Sequence, residues 1–392
     1  MVKKRILYIM ISILCLSGCW DNMELDESIM VVGVGVSKQD DEYNIVLEAI
    51  APSDISPTEE AVQGKGFLLE TTSPTLLDAA REIIRIAKRR LFFTHTEVWI
   101  IHDELAAEED MLIFLDVLRR EQMLRLNSYL FVSEDPPEDI FSSDYTFSKI
   151  LSEELISAVE YAEFVSGYPS VLAREFFKML LSPLRTAYLP TINTIEVDGK
   201  ILSQLTGAAV FNDGKMVGKL NTEESYGLMW LNNKVEGGGI TVSYDDVRAT
   251  FKLVKGNRDL DTHLIGEDLT VDIHIDAEGT LADQHVKVDN INEWTKRFET
   301  HVSEQIKREI ESALQKLQHG FKTDMTSAGI HTYRNQVHEF NEVKDQWDDI
   351  FANATFNIHV ETMITDKGLI DSPGHQFQKR EHKNLYRFKK ED

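Results

Sequence analysis

The pattern of apolar residues in the first hundred positions predicts several strands and one helix. Residues 29–36 and 43–50 are apolar runs on either side of a polar turn, which predicts a β-hairpin, and 67–71 continues as a further strand. From 76 to 87 the apolar residues recur every three or four positions, which predicts a helix. It ends in Lys88-Arg89-Arg90, where cations favour the helix dipole.

The alternation of strand and helix continues along the chain. Strands are predicted at 97–101 and 128–132, separated by an amphipathic helix from about 110 to 120. Residues 147–180 are predicted to be mostly helical, with an interruption at Gly167-Tyr168-Pro169, and extended chain returns at 188–197. Strands interleaved with helices indicate a small α/β layer in this half of the chain.

A second pattern begins near residue 204. Asn212-Asp213-Gly214-Lys215 is a strong turn signal between the apolar runs 205–211 and 216–220, so the two runs predict a second hairpin. The elements predicted after it are a helix at 223–231, strands at 240–244, 247–255 and 269–276, and a helix at 341–351.

The longest helix is predicted from about 292 to 317. Large apolar residues form one stripe along it, namely Trp294, Phe298, Val302, Ile306, Ile310, Leu314 and Leu317. Residues 355–365 alternate apolar and polar side chains, which is typical of a half-buried strand. We therefore predict an α+β fold with mixed sheets and covering helices, in which the long helix packs on an antiparallel sheet containing this last strand.

The first nineteen residues have the arrangement of a lipoprotein signal peptide. The basic segment Lys3-Lys4-Arg5 precedes the mostly apolar residues 6–16, and Leu16-Ser17-Gly18-Cys19 closes the pattern. As a helix the apolar segment would span only about 16 Å, half the hydrocarbon core of a bilayer. We expect cleavage between Gly18 and Cys19, with Cys19 carrying S-diacylglycerol and N-palmitoyl groups. An ordinary secretory signal that ends near a cysteine is the alternative.

These patterns predict a division of the chain into four parts. Residues 1–18 are the signal peptide, 19–200 an N-terminal α/β domain of one or two subdomains, and 201–370 a C-terminal α+β domain. Residues 371–392 form a polar tail that we expect to be disordered.

Charge and cysteine content narrow the possible partners. The net charge is −25, so the body of the protein should repel nucleic acid and anionic lipid headgroups. Attachment to a membrane would then come from the acyl chains and from protein partners, although acidity is also a common aid to solubility. Cys15 lies within the segment to be removed, so no disulfide is predicted.

Candidate motifs for chemistry are weak. Gly33-Val34-Gly35 lacks the third glycine of a dinucleotide-binding loop, because position 38 is lysine, so structural glycines in a strand are the preferred interpretation. His338 has Glu342, not histidine, four residues later, which does not match a zinc protease. His95 is better explained as a residue that orders a loop than as a catalytic one. We predict no catalytic residues, no metal and no cofactor.

Trp20 directly follows the expected lipidation site, and two roles are open for it. Its indole could lie at the level of the lipid headgroups, or it could pack within the N-terminal domain.

Short sequences along the whole chain resemble one family. They are Gly18-Cys19-Trp20-Asp21, Glu24-Leu25, Val32-Gly33-Val34-Gly35-Val36, Arg90-Leu91-Phe92-Phe93-Thr94-His95, Leu118-Arg119-Arg120, Gly207-Ala208-Ala209-Val210-Phe211 with Gly218, and the block 347–368. Their order and spacing are similar to those of the Ger(x)C spore germination lipoproteins, the C subunits of nutrient germinant receptors in spore-forming Gram-positive bacteria. Ser37 and 332–335 depart from the family pattern.

The resemblance implies several properties of the protein. It implies a fold of unusual topology and a non-enzymatic subunit, anchored by lipid to the outer face of the spore inner membrane. It also implies membrane-embedded A and B receptor subunits as partners in nutrient-triggered germination. An extracytoplasmic solute-binding lipoprotein that captures a nutrient itself is the alternative, so direct germinant binding is left open. Neither interpretation includes nucleic acid as a partner.

Overall fold

The computed structural model describes residues 28–50, 66–161, 167–244, 247–284 and 290–366. The strands in these ranges are β1 (Ser28–Gln39), β2 (Glu42–Ile50), β3 (Phe67–Ser73), β4 (Arg90–Phe92), β5 (Val98–His102), β6 (Tyr129–Ser133), β7 (Ala187–Val197), β8 (Lys200–Asn212), β9 (Lys215–Leu220), β10 (Gly239–Tyr244), β11 (Val247–Ile265), β12 (Asp268–Gln284) and β13 (Thr355–Asp366). The α-helices are α1 (Leu76–Ala87), α2 (Asp103–Glu108), α3 (Met111–Arg120), α4 (Pro137–Phe141), α5 (Leu151–Tyr161), α6 (Ala173–Leu180), α7 (Thr222–Leu231), α8 (Ile291–Gln315), α9 (Ala328–Asn335), α10 (Val337–Val343) and α11 (Trp347–Asn353).

The first nine strands form one mixed sheet. Its order is β3-β2-β1-β5-β6-β7-β8-β9, and the short β4 pairs with the beginning of β1. The strands β1, β5, β6 and β7 run parallel, whereas hairpins add antiparallel strands at both sides. The predicted β1–β2 hairpin is confirmed, with Asp40 and Asp41 at positive φ in its turn.

Helices cover both faces of this sheet. Successive residues of a strand point to opposite sides, and in the central strand β5 the residues on both sides are apolar and need to be buried. Trp99 and Ile101 of β5 belong to the core beneath α1, α2 and α3, whereas Val98 and Ile100 pack with α4 and α5.

The two glycines of β1 permit the close approach of α4 and α5. A Cβ on Gly33 would lie 2.3 Å from Ser152 Oγ, and one on Gly35 would lie 2.4 Å from Pro137 Cβ. Such separations are far shorter than van der Waals contact. The interpretation of this motif as structural glycines in a strand is therefore confirmed.

The remaining four strands form a second sheet in the order β10-β11-β12-β13. The long helix α8 lies on this sheet and contacts β13. Every residue of the predicted apolar stripe is buried, including Leu317 in the π-helical turn that follows α8. The predicted antiparallel arrangement is wrong for one strand, because β13 runs parallel to β12. Alternation along 355–365 indicates which face is buried, but it contains no information about strand direction.

Helix α7 joins the two sheets. It packs against α8, β8 and β11, and six of its ten residues are buried, including Leu228, Met229 and Trp230. The apolar core is consequently continuous from β1 to β13.

Several boundaries differ from those predicted. The predicted helix 341–351 is divided into α10, a 3₁₀ turn at Lys344–Gln346 and α11, and α9 was not predicted. Residues 371–392 lie outside the described residues, so their expected disorder stays a prediction. The domain division at residue 200 also stays a prediction; that residue begins β8, which pairs with β7.

Candidate functional site

A cleft of about 990 Å³ lies where the two halves of the chain meet. We call it the junction cleft. One wall is formed by α6 with residues 168–171 and 182–188, and the other by residues 229–236 and 324–334. Concave sites between structural units are the usual place for small ligands, so this cleft is the candidate functional site.

The first wall is fixed by the start of α6. Tyr129, at the start of β6, forms a β-bridge with Leu172, the residue before the helix. The Glu175 side chain accepts a hydrogen bond of 3.0 Å from the Leu172 backbone N–H, so it satisfies a free donor at the helix start. This pairing holds α6 next to the sheet and exposes Lys178 towards the cleft.

The second wall is organised by the buried carboxylate of Asp324, which is 2% exposed. Its Oδ1 accepts hydrogen bonds from the backbone N–H and hydroxyl of Thr326, at 2.9 and 2.8 Å. Its Oδ2 accepts from the Gly329 N–H at 2.6 Å and from Trp347 Nε1 at 3.1 Å. The backbone oxygen of Asp324 also accepts from Thr186 Oγ1 at 3.0 Å, which connects this wall to the first sheet.

Two further side chains tie α7 to the same loop. Asn232 Nδ2 donates to the backbone oxygens of Leu228 and Met325, at 3.0 and 2.8 Å. Arg258 Nη1 donates to Leu231 O in α7 and, at 2.8 Å, to Thr326 O in the loop. Burial lowers the pKa of Arg258, while the carboxylates of Asp324 and Asp259 act in the opposite direction. The guanidinium remains charged at neutral pH, and the wall is therefore rigidly cross-linked by side chain to backbone hydrogen bonds.

Tyrosines supply much of the surface of the cleft. They are Tyr129, Tyr168, Tyr188 and Tyr333. Burial, followed by the carboxylates of Glu160 and Glu175, raises the pKa of Tyr129. Burial, with a smaller contribution from Glu175, raises the pKa of Tyr188 to about 12. Both phenols are therefore neutral at physiological pH, and each can donate or accept a hydrogen bond.

Charged side chains of both signs line the cleft beside the tyrosines. The cations are Lys178, Lys234 and Arg334, and the carboxylates include Glu160, Glu175 and Glu236. The described lining contains neither histidine nor cysteine. This arrangement can recognise a small polar molecule, through phenol hydroxyls, aromatic faces and charges of both signs.

The residues singled out from the sequence lie elsewhere or outside the described residues. Gly18, Cys19 and Trp20 precede residue 28, so lipidation and cleavage stay predictions. His95 ends an exposed 3₁₀ turn, and His338 lies 3.4 Å from Glu342 in a surface pair. The junction cleft was not predicted from the sequence, because its tyrosines are far apart in the chain and share no spacing.

The described ranges bear on metal binding and on insertion into a membrane. Within them, no group of three or more histidine, cysteine or acidic side chains is arranged to hold a metal ion. No helix among those residues is long and apolar enough to cross a bilayer.

Two family models match the chain. The model for the spore germination protein N-terminal domain matches residues 21–194. The model named Spore germination B3/GerAC like, C-terminal, matches residues 206–368. The chain belongs to the Ger(x)C family of spore germination proteins. The resemblance predicted from the short motifs is confirmed.

Curated Ger(x)C relatives match along almost their whole length. Spore germination protein KC of Bacillus subtilis (strain 168) is 24% identical over 411 residues, which cover 96% of this chain and 100% of the relative. Spore germination protein B3 of the same organism is 22% identical, and the match covers 94% of this chain and 98% of the relative.

A solved structure shares the architecture. The crystal structure of the GerBC protein matches with a TM-score of 0.59 at 17% identity, over 88% of this chain and 100% of that chain. The likeness supports the mixed α+β fold described above.

Proposed function

We propose that this protein is a lipid-anchored, non-enzymatic subunit of a spore germinant receptor. It acts with membrane-embedded A and B subunits on the outer face of the spore inner membrane, in nutrient-triggered germination. The observation that carries this proposal is the match of both family models, which together cover most of the chain. The relatives that match over nearly their full length are all named as spore germination proteins.

The proposal of a lipid anchor is based on the sequence Leu16-Ser17-Gly18-Cys19. A thiol at this position accepts a diacylglyceryl group, and cleavage then frees the amine of Cys19 for a further acyl chain. A single acyl chain binds a membrane only marginally, whereas several chains hold a protein stably. The lipids would place the folded body next to membrane-embedded partners.

Replacing Cys19 by alanine tests the anchor. We expect an uncleaved precursor without attached lipid and slower germination, because the acceptor thiol is lost. Intact mass of the purified protein and labelling with a radioactive fatty acid measure the first effect, and loss of spore optical density after addition of nutrient measures the second.

Cys15→Ala is the matched control, because this cysteine lies within the segment to be removed. The control should be processed and labelled as the wild type is. Lipid labelling and cleavage of the Cys19→Ala protein at wild-type levels would refute the anchor. Recovery of the A and B subunits with the wild-type protein from detergent-solubilised spore membranes tests the partnership separately.

The junction cleft favours a second candidate function, in which the protein itself captures the nutrient. Its tyrosines and its charges of both signs suit a small polar or zwitterionic molecule. Titration calorimetry of the detergent-solubilised protein against amino acids, sugars and nucleosides should then show saturable binding. Lys178→Gln combined with Lys234→Gln should weaken that binding about tenfold, since each exposed lysine lines the cleft.

Lys252→Gln is the control for this experiment, because that lysine is exposed on β11 outside the cleft. If none of the amino acids, sugars or nucleosides gives a heat of binding, direct capture of these nutrients is excluded. The receptor-subunit proposal would not be affected by that result.

A further inference from the structure

The charges of this acidic protein are separated across the first sheet. The parallel strands β1, β5 and β6 all end at one edge, which we call the carboxyl edge. The segments that follow them, residues 40–42, 103–110 and 134–139, contain twelve carboxylates. Three cations from neighbouring segments, Lys38, Arg185 and Lys219, form ion pairs with some of them, which leaves a large excess of negative charge at this edge. Parallel strands also begin at a common edge, which we call the amino edge. There, lysine and arginine outnumber the acidic residues.

The amino edge is formed by two loops and the start of β1. Ser28 pairs with Arg90 in β4, and Thr96 Oγ1 donates to Val31 O at 3.2 Å. Ser128 Oγ in turn donates to Thr96 O at 2.7 Å. Residues 85–97 and 119–128 therefore lie together at the end of the sheet where β1 enters the fold. We call these segments the two loops, although they include the last turns of α1 and α3 and the short strand β4.

Basic residues dominate these two loops. The loops contain seven lysine and arginine residues, namely Arg85, Lys88, Arg89, Arg90, Arg119, Arg120 and Arg125, and only two acidic ones, Glu97 and Glu121. All seven cations are exposed. Arg119 and Arg120 share the single carboxylate of Asp116.

Helix dipoles explain only part of this pattern. Cations are favoured in the last turn of a helix, and Arg85, Arg119 and Arg120 are in that position. Lys88, Arg89 and Arg125 lie beyond the helix ends, and in the described part of the chain no ion pair neutralises them. Exposed apolar side chains accompany them, since Ile86 is 53% exposed and Leu126 is 45% exposed. Cations beside exposed apolar groups suit the boundary of a lipid bilayer.

We propose that the amino edge docks on the anionic phospholipid headgroups of the membrane. The inference rests on the proposed lipidation of Cys19, since the nine residues from Cys19 to Ser28 reach at most about 30 Å. The tether therefore enters the fold at its basic edge. The net charge of −25 predicts repulsion from anionic lipid, but the acidic carboxyl edge faces away from the bilayer in this orientation. The acyl chains supply attachment, and the amino edge supplies orientation.

Site-specific fluorescence on lipid vesicles tests this orientation. The cysteines of the precursor are Cys15 and Cys19. Cleavage removes the first and lipidation occupies the second, so an added cysteine is the single labelling site. A dye is placed at Thr94→Cys on the amino edge, or at Glu104→Cys on the carboxyl edge. The lipidated full-length protein is reconstituted in vesicles that contain a headgroup-attached quencher, of phosphatidylcholine alone or with 30% phosphatidylglycerol.

We expect at least fivefold stronger quenching at residue 94 than at residue 104 on the vesicles with phosphatidylglycerol. High salt should remove the difference, because it screens attraction between exposed charges and headgroups. Lys88→Gln, Arg89→Gln and Arg125→Gln together should also remove it. The matched control, Lys200→Gln, Lys252→Gln and Lys296→Gln, has the same change in charge at exposed lysines away from the amino edge and should leave it unchanged.

Three results would overturn the orientation: equal quenching at both edges, no effect of the first triple variant, or no dependence on phosphatidylglycerol. Intact mass reports lipidation independently, so failure of the anchor is recognised separately. Sedimentation of an unlipidated protein with anionic vesicles, compared with neutral ones, would still test the amino edge.

Discussion

Replacing Asp324 by alanine should lower the free energy of unfolding by about 4 kcal/mol. The variant lacks the carboxylate that accepts four hydrogen bonds, which are donated by Thr326, Gly329 and Trp347. The site is buried, so water cannot readily replace the carboxylate, and the donors are left unsatisfied. Urea unfolding followed by tryptophan fluorescence measures the change.

Asp349→Ala is the matched control for this variant. Asp349 is 73% exposed in its side chain and makes an ion pair of 2.8 Å with Lys322. Exposed pairs of this kind contribute little to stability, so the urea midpoint should be nearly unchanged. Equal effects of the two substitutions would show that Asp324 does not organise the second wall of the junction cleft.

Gly227→Ala is the second variant with a large expected effect, a loss of about 3 kcal/mol in the free energy of unfolding. A Cβ at this position would lie 2.1 Å from Glu309 O and 2.7 Å from Ala313 Cβ. The first contact is with the backbone of α8, which cannot move aside as a flexible side chain can. The two helices would have to separate, and the core that connects the two sheets would open.

Gly320→Ala provides the comparison. This exposed glycine lies just after α8, and the nearest atom to a new Cβ would be Lys316 Cδ at 3.6 Å, an ordinary contact. Thermal unfolding of the two variants, measured by circular dichroism, should therefore show a clearly lower midpoint for Gly227→Ala alone. Midpoints lowered equally would contradict close packing as the cause.

Elements with strong periodicity were predicted well from the sequence. The stripe from Trp294 to Leu317 indicated both the long helix and its buried face, and all its members are buried. The Asn212-Asp213-Gly214-Lys215 turn correctly predicted the β8–β9 hairpin. In each case the signal is local, so the surrounding fold was not needed to interpret it.

Features that depend on distant contacts were not predicted. Helix α7 is buried on several sides, so its residues show little amphipathic pattern, and the importance of Gly227 follows only from the position of α8. The parallel direction of β13 depends on the path of the intervening helices. The junction cleft likewise arises from residues as distant as Tyr129 and Tyr333, which only the tertiary fold brings together.

The parallel pairing of β12 and β13 has a consequence for the order of folding. Thr270 pairs with Thr355, so the whole crossover from α8 to α11 must be synthesised and arranged before the sheet is complete. Contacts between such distant positions form slowly, because closing a long loop costs chain entropy first. Until β13 arrives, β12 presents an open edge to any other extended chain. Pairing of β13, the last described strand, therefore completes the second sheet. Until β13 has been translated, the C-terminal half is not protected from misassembly at the edge of β12.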